Sequence, residues 1–148
     1  MGYPFRTIVC PVDFSDNSLS ALGLARHIAA DAQGVIHLVH AVPTVLPESE
    51  AEEAYRGEEA ETAARLRAVA EERLVGVEYK VHVPVGVTAE AVTDVATTLN
   101  ADLVVIATHG RHGLSRFFLG SAADAIIRRA PCPVLVVRFP HEDDQHHS

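Results

Sequence analysis

Five short apolar runs rich in β-branched residues alternate along this chain with four segments of helical character. The apolar runs are Phe5–Val12, Val35–Val42, Val77–Val83, Asp102–Ala107 and Cys132–Arg138. The helical segments extend from the N-cap candidates at Ser15–Ser18 to Gly34, which we expect in the C-cap position, and over Glu50–Leu74, Thr88–Leu99 and Ser121–Arg129. Strands that alternate with helices favour a parallel sheet with helices on both faces. The sequence therefore predicts an open α/β fold that binds ligands beyond the carboxyl ends of its strands.

Length and charge limit what such a fold can do. A chain of 148 residues suits a single domain. We expect this domain to span residues 1–140, with a polar tail at 141–148. The formal net charge of −8 disfavours non-specific binding to nucleic acid and to anionic membrane surfaces. It does not exclude one small anionic ligand held by backbone N–H groups.

The cysteines and the amino terminus indicate a cytoplasmic protein. Cys10 and Cys132 both fall in apolar runs and form no CxxC or Cys/His pattern, so we expect buried, reduced thiols and no resident metal. The amino terminus lacks a basic and apolar leader sequence. No apolar run approaches the roughly 20 residues that a membrane span requires.

The segment Ala107–Ser121 (ATHGRHGLSRFFLGS) follows an apolar strand and opens a helix. Three glycines in it can take positive φ or approach a ligand closely: Gly110, Gly113 and Gly120. At the amino end of the helix, free N–H groups and the helix dipole favour an anion, which predicts a phosphate-binding loop. The alternative is a plain turn in which Ser121 caps the helix and Asp124 lies three residues further on.

This segment and two others resemble the universal stress protein family. The ATP-binding pattern of that family is G-x2-G-x9-G-[ST]. Gly110, nine further residues, Gly120 and Ser121 match it, whereas Ala107 stands in place of the first glycine. The family's opening strand ends in P-x-D, which is similar to Pro11-Val12-Asp13, and its closing strand is similar to Ala130–Val137 (APCPVLVV). The resemblance covers about residues 5–138.

The resemblance implies a Rossmann-like fold of the adenine nucleotide alpha hydrolase type, with a five-stranded sheet in the order 3-2-1-4-5. It implies ATP, accompanied by Mg²⁺ or Mn²⁺, across the ends of the first and fourth strands. The implied adenine site is lined by Pro11, Val12, Asp13 and Ala41. The implied ribose and phosphate contacts are Ile106, Ala107, Gly110, Gly120, Ser121 and Ala122. Gly113 and Arg111 belong to the same loop, where Arg111 either meets phosphate or is a solvated loop residue.

Two positions leave alternatives open. Asp13 either hydrogen-bonds the adenine or caps the first turn of the following helix. Ala107 is strained if the family glycine needs positive φ, but tolerated if glycine serves only close approach to the ligand. Because Ala107 ends an apolar run of β character, we expect negative φ and continued ATP binding.

Three functions fit these residues. The first is an ATP-binding regulatory protein in stress signalling. The second is a nucleotide-free dimeric interaction module, and the third is a weak ATP-hydrolysing or autophosphorylating enzyme. Related hydrolases carry S-G-G-x-D-S after the first strand, where this chain reads P-V-D-F-S-D. Since no Walker A motif and no nucleophile–base pair is legible either, we predict no efficient catalysis and no catalytic residues.

The last apolar run predicts a homodimer. Its residues Val134, Leu135, Val136 and Val137 are continuously apolar, and the implied strand order places them at the sheet edge. An uncovered apolar edge is an aggregation hazard unless it is paired. The resemblance also implies antiparallel pairing of this strand with its copy.

Overall fold

A computed structural model describes residues 4–42, 48–108 and 120–138, and only the backbone at 48–52. The elements are β1 (Thr7–Pro11), α1 (Asp16–Ala32), β2 (Val35–Val39), α2 (Glu48–Arg73), β3 (Glu78–His82), α3 (Thr88–Thr98), β4 (Leu103–Ala107), α4 (Ser121–Arg129) and β5 (Val134–Val137). The predicted alternation of strands and helices is confirmed. Within these ranges, no helix is both long enough and apolar enough to cross a membrane.

The five strands form one parallel sheet in the order β3-β2-β1-β4-β5, as predicted. The start of β1 is fixed against the start of β4 by one carboxylate. Asp102 accepts the backbone N–H groups of Arg6 at 3.1 Å and Thr7 at 2.9 Å. Its own N–H donates to the carbonyl of Thr7 at 2.8 Å. These three hydrogen bonds set the register between the starts of β1 and β4.

Helices cover both faces of the sheet. Helices α1 and α2 pack on one face against alternate residues of β1, namely Ile8 and Cys10, with Val12 just beyond the strand. Helices α3 and α4 pack on the other face, where Val9 and Val104 are fully buried. Alternate side chains of a strand point to opposite faces. Because both faces of β1 are covered, Ile8, Val9 and Cys10 are all buried and apolar, and this explains the continuous apolar run in the sequence.

The end of α1 differs from the prediction for Gly34. Gln33, with φ 54°, takes the left-handed position, and its N–H lies at the carbonyls of Ala29 and Ala30. Gly34 donates its N–H to Ala29 at 2.8 Å in a Schellman-type ending. A Cβ on Gly34 would lie 2.7 Å from the carbonyl oxygen of Arg6. Gly34 is therefore required for close approach to the start of β1, and not for positive φ.

The cysteine prediction is only half correct. Cys10 is fully buried on β1, and burial raises the pKa of its thiol to about 12. Cys132 precedes β5 and is half-buried, because β5 begins two residues later than the apolar run suggests. Burial and the nearby Asp102 carboxylate raise the pKa of Cys132 as well. Both thiols are free, as expected for a reduced protein.

Two histidines on neighbouring strands share a hydrogen bond inside the fold. The Nδ1 atom of His37 on β2 lies 2.8 Å from the Nε2 atom of His82 on β3. Burial lowers the pKa of His37 to about 4, and the charges of His82 and Lys80 add to that effect. Burial and Lys80 also lower the pKa of His82. The fold therefore holds this pair in its neutral form.

Stability should decrease on mild acidification because of this pair. The unfolded chain binds a proton at His37 near pH 6.5, whereas the folded chain resists it until about pH 4. We therefore expect the free energy of unfolding to fall across this window, by up to about 1.4 kcal/mol per pH unit for one proton. Urea denaturation at a series of pH values measures the slope. His37→Gln should flatten it, and His27→Gln, at an exposed position on α1, should not. An unchanged slope in His37→Gln contradicts the assignment.

Candidate functional site

A cavity of about 540 Å³ opens at the carboxyl ends of β1, β2 and β4. Its position follows from the ladder between β1 and β4, which pairs only Ile8 with Leu103 and Val9 with Val104. Beyond these pairs β1 remains bonded to β2 and β4 remains bonded to β5. The two central strands therefore separate where the strand order reverses, which is where open parallel sheets bind their ligands.

Seven of the twelve sequence-predicted residues line this cavity. They are Pro11, Val12, Asp13, Ala41, Ile106, Ala107 and Ala122. Gly120 and Ser121 immediately precede Ala122 at the start of α4 but are not among the lining residues. The remaining three, Gly110, Arg111 and Gly113, lie outside the described residues.

The amino end of α4 presents backbone donors without a side-chain cap. Gly120 is the N-cap residue, with φ 89° and ψ 151°, a conformation essentially restricted to glycine. None of the described side chains caps this helix. The alternative that Ser121 and Asp124 form a capping box is wrong, because Ser121 is the first helical residue and Asp124 pairs with Arg128 at 2.9 Å. The first N–H groups of such a helix favour an anion.

Asp13 also lines the cavity. Its carboxylate accepts the N–H of Ser15 at 2.9 Å and the hydroxyl of the same residue. Burial raises the pKa of this carboxyl, but the hydrogen bonds from Ser15 and Ser18 outweigh burial and lower the pKa below its ordinary value. The N-cap of α1 is Ser15, so Asp13 does not cap that helix. An ionised carboxylate here can only accept hydrogen bonds, such as those from hydroxyl or amino groups.

Several lining residues were not predicted from the sequence. Asn17, in the first turn of α1, donates its side-chain N–H to the carbonyl of Thr108 at 3.2 Å and so joins α1 to the end of β4. The Nδ1 atom of His40 lies 2.7 Å from the carbonyl oxygen of Val12. Thr88 comes from the start of α3. Asn17 could have been predicted, because it belongs to the polar run 15–18 that follows the end of β1. Thr88 could not, because its place at the cavity depends on the order of the strands in the sheet.

Ala107 has an unstrained backbone. The described non-glycine residues with positive φ are Phe14, Gln33 and Asn100, and Ala107 is not among them. Ala107 ends β4 and pairs with Val137 of β5. The expected negative φ is therefore confirmed. The methyl group of Ala107 adds to the cavity wall without the backbone strain that a replaced positive-φ glycine would bring.

The groups that line the cavity differ in chemistry. Asp13 and Asp16 offer acceptors, the first turn of α4 offers backbone donors at Ala122 and Ala123, and Val39, Ile106 and Ile126 offer apolar surface. Such a lining suits a ligand that combines an apolar part, a hydroxyl or amino group and an anionic group. Among the described residues, no three His, Cys, Asp or Glu side chains are grouped to hold a metal ion.

A model of the Universal stress protein family matches residues 4–138. The chain belongs to the universal stress protein family. One relative, a universal stress protein of Methanocaldococcus jannaschii, is 34% identical over 147 residues, which cover 94% of this chain and 85% of the relative. Another, from Thermus aquaticus, is 37% identical over 139 residues, which cover 90% of this chain and 99% of the relative.

Solved universal stress proteins share this fold. One, determined in complex with cAMP, has a TM-score of 0.67 at 24% identity and covers 91% of this chain and 98% of its own. Another, from Archaeoglobus fulgidus in complex with dAMP, has a TM-score of 0.64 at 23% identity and covers 90% and 98%. At these identities the likeness establishes the architecture and not the ligand of this chain.

Ala107→Gly tests whether this position is strained. Because φ is already negative, we expect glycine to lower the free energy of unfolding by about 0.5–1 kcal/mol, through the greater backbone freedom of the unfolded chain. Urea denaturation of both proteins measures the difference. A more stable Ala107→Gly variant would show that the alanine was strained and that the strand end is built differently.

Proposed function

We propose that this universal stress protein binds ATP in the cavity between the ends of β1 and β4, and acts as a cytoplasmic regulatory protein in the stress response. The observation that carries the proposal is a single cavity lined both by the acceptor residue Asp13 and by the uncapped first turn of α4. Its volume of about 540 Å³ falls in the range of small-molecule sites. The cAMP and dAMP complexes of similarly folded family members support an adenine nucleotide.

The walls suggest the orientation of the nucleotide. We place the triphosphate at Gly120, Ser121 and Ala122, because the free N–H groups and dipole of α4 favour negative charge there. The adenine then lies against the β1 and β2 ends, at Pro11, Val12, Asp13 and Ala41, with Ile106 and Ala107 between the two ends. We propose that Gly110, Arg111 and Gly113 complete the phosphate site.

Mg²⁺ or Mn²⁺ fits this proposal as a companion of the triphosphate. Mg²⁺ is usually held by one or two carboxylates together with substrate phosphates. The proposed orientation places Asp13 at the adenine, so Asp13 is not assigned to the ion. Asp16 is the other carboxylate that lines the cavity and is the candidate to hold the ion together with the phosphates. The ion would supply positive charge that offsets the charge of the phosphates.

We propose that the site binds ATP without turning it over efficiently. The hydroxyl of Ser15 donates to Asp13, which resembles a nucleophile–base pair. The lowered pKa of the Asp13 carboxyl makes it a weak base for accepting that proton. Steady-state hydrolysis near the enzyme median of about 10 s⁻¹ would instead support the alternative, an ATP-hydrolysing or autophosphorylating enzyme.

Gly120→Val should abolish ATP binding. A valine cannot comfortably adopt φ 89° and ψ 151°, so the start of α4 has to rearrange and its donors leave the phosphate site. Isothermal calorimetry with ATP measures the loss, and mass spectrometry of the denatured wild-type protein identifies any nucleotide that copurifies with it. Gly76→Val is the matched control, because Gly76 has φ 87°, open space around it and no place in the cavity.

ATP binding by Gly120→Val at wild-type strength would show that the site is misplaced. Loss of binding in Gly76→Val as well would show that the effect is general destabilisation. A wild-type protein that neither copurifies with nucleotide nor binds ATP would favour the nucleotide-free dimeric module instead.

We also propose a homodimer formed through β5. This strand pairs with β4 on one side, and no described strand pairs with its other side. Val134, Val136 and Val137 are half-buried, and Leu135 keeps 36% of its surface exposed. Antiparallel pairing of two β5 strands would satisfy the free backbone groups and cover this apolar edge.

Leu135→Lys should convert the dimer into a monomer at micromolar concentration. The charged side chain opposes burial at an edge, as lysine does on natural edge strands. Leu24→Lys provides the control, because Leu24 is a leucine on α1 with a similar exposure of 38%. Light scattering measures the mass of each protein. A monomeric wild type, or a Leu135→Lys variant that stays dimeric, contradicts the β5 interface.

A further inference from the structure

Arg65 and His40 both contact the ring of Phe14, the residue that follows Asp13, and we call these three side chains the Phe14 stack. The guanidinium carbon of Arg65 lies 3.9 Å from the centre of the Phe14 ring. The ring of His40 contacts Phe14 in a tilted arrangement, with 5.2 Å between centroids and an interplanar angle of 47°. Neither Phe14 nor Arg65 is among the described residues that line the cavity.

Phe14 has a backbone conformation that an aromatic residue rarely adopts. Its φ of 65° lies in the left-handed region. A bulky residue persists there only where surrounding contacts fix it. The contacts are the Phe14 stack and the core beneath α1 and α2, against which the ring is partly buried. The turn that follows β1 therefore depends on packing contributed by α2.

His40 contacts not only Phe14 but also Val12, the residue that precedes Asp13 in the chain. The carbonyl oxygen of Val12 can only accept, so the Nδ1 atom of His40, 2.7 Å away, carries the hydrogen and donates it. The backbone N–H of His40 donates in turn to His82 at 3.1 Å. The stack thus fixes Val12 through its carbonyl and Phe14 through its ring. Asp13 lies between these two fixed points.

We propose that Arg65 and Phe14 are positioning residues that set the nucleotide affinity of the cavity without touching the nucleotide. They hold Asp13 and Val12 in the geometry that the adenine end of the ligand meets. The ligand part of this inference rests on the proposed function. Because Arg65 is an exposed residue of α2, any interaction that draws its guanidinium away from the ring lowers nucleotide affinity from outside the site.

The test compares three variants of α2. Arg65→Gln removes the cation, Arg65→Lys keeps it, and Arg67→Gln removes the charge of another exposed arginine on the same helix. Calorimetry gives the Kd for ATP, and NMR of the nucleotide-free protein gives the amide shifts of residues 12–15. An exposed cation–π contact corresponds to about a two- to fivefold change in an equilibrium constant. We expect that rise in Kd, together with shifted amides, in Arg65→Gln alone, and near-complete recovery in Arg65→Lys.

Three results would overturn the proposal. The first is an Arg65→Gln protein with wild-type Kd and unshifted amides at residues 12–15. The second is an equal rise in Kd in Arg67→Gln, which would reveal a general effect of charge on an anionic ligand. The third is an Arg65→Gln protein with raised Kd but unmoved amides, because Arg65 would then act on the ligand directly. If the wild type binds no nucleotide, the proposed function fails, and the amide shifts alone decide whether the stack positions the segment.

Discussion

The hydrogen bonds that β1 makes along both of its edges organise the rest of the molecule. On one edge β1 pairs with β2 over its whole length, from Thr7 to Pro11. On the other edge the pairing with β4 ends at Val9 and Val104. The early end of this second ladder lets the strands separate toward their carboxyl ends. The cavity, the turn at Asp13 and the approach of three helix amino ends all follow from that separation.

A chain with a net charge of −8 can still favour an anion at one point, because the relevant charges act over short distances. Exposed charges further away than roughly 8–10 Å are largely screened at physiological salt. The donors of α4 are not matched by a side-chain cap among the described residues. The acids Asp13 and Asp16 line the same cavity. The charges that a ligand meets there are therefore set by a few nearby groups and not by the net charge of the chain.

The apolar runs were sufficient to predict the order of the elements along the chain, whereas the strand order came only from the resemblance to the family. The start of α4 at Ser121 was also predicted correctly. Gly34 was misjudged because a glycine after a helix signals either positive φ or close approach, and only the position of Arg6 distinguishes them. Cys132 was misplaced because an apolar run does not show where pairing with β4 begins.

The site was predicted less completely than the fold. The motif resemblance gave seven lining residues, but it contained no signal for Thr88, whose place depends on how α3 returns to the sheet. Asn17 and His40 are polar residues next to strand ends, and their roles appear only when their partners Thr108 and Val12 are brought near by the fold. Contacts between residues far apart in sequence cannot be read from local patterns.

The central position of β1 also has a consequence for the chain as it leaves the ribosome. Thr7 is bonded to Asp102, a residue 95 positions later. At a synthesis rate of about 5–20 residues per second, roughly 5–20 s pass between the appearance of these two residues. During that interval the nascent chain carries an apolar strand with one edge open, a form in which exposed edges invite association between chains. Strand β1 is thus synthesised well before the strand that covers its open edge.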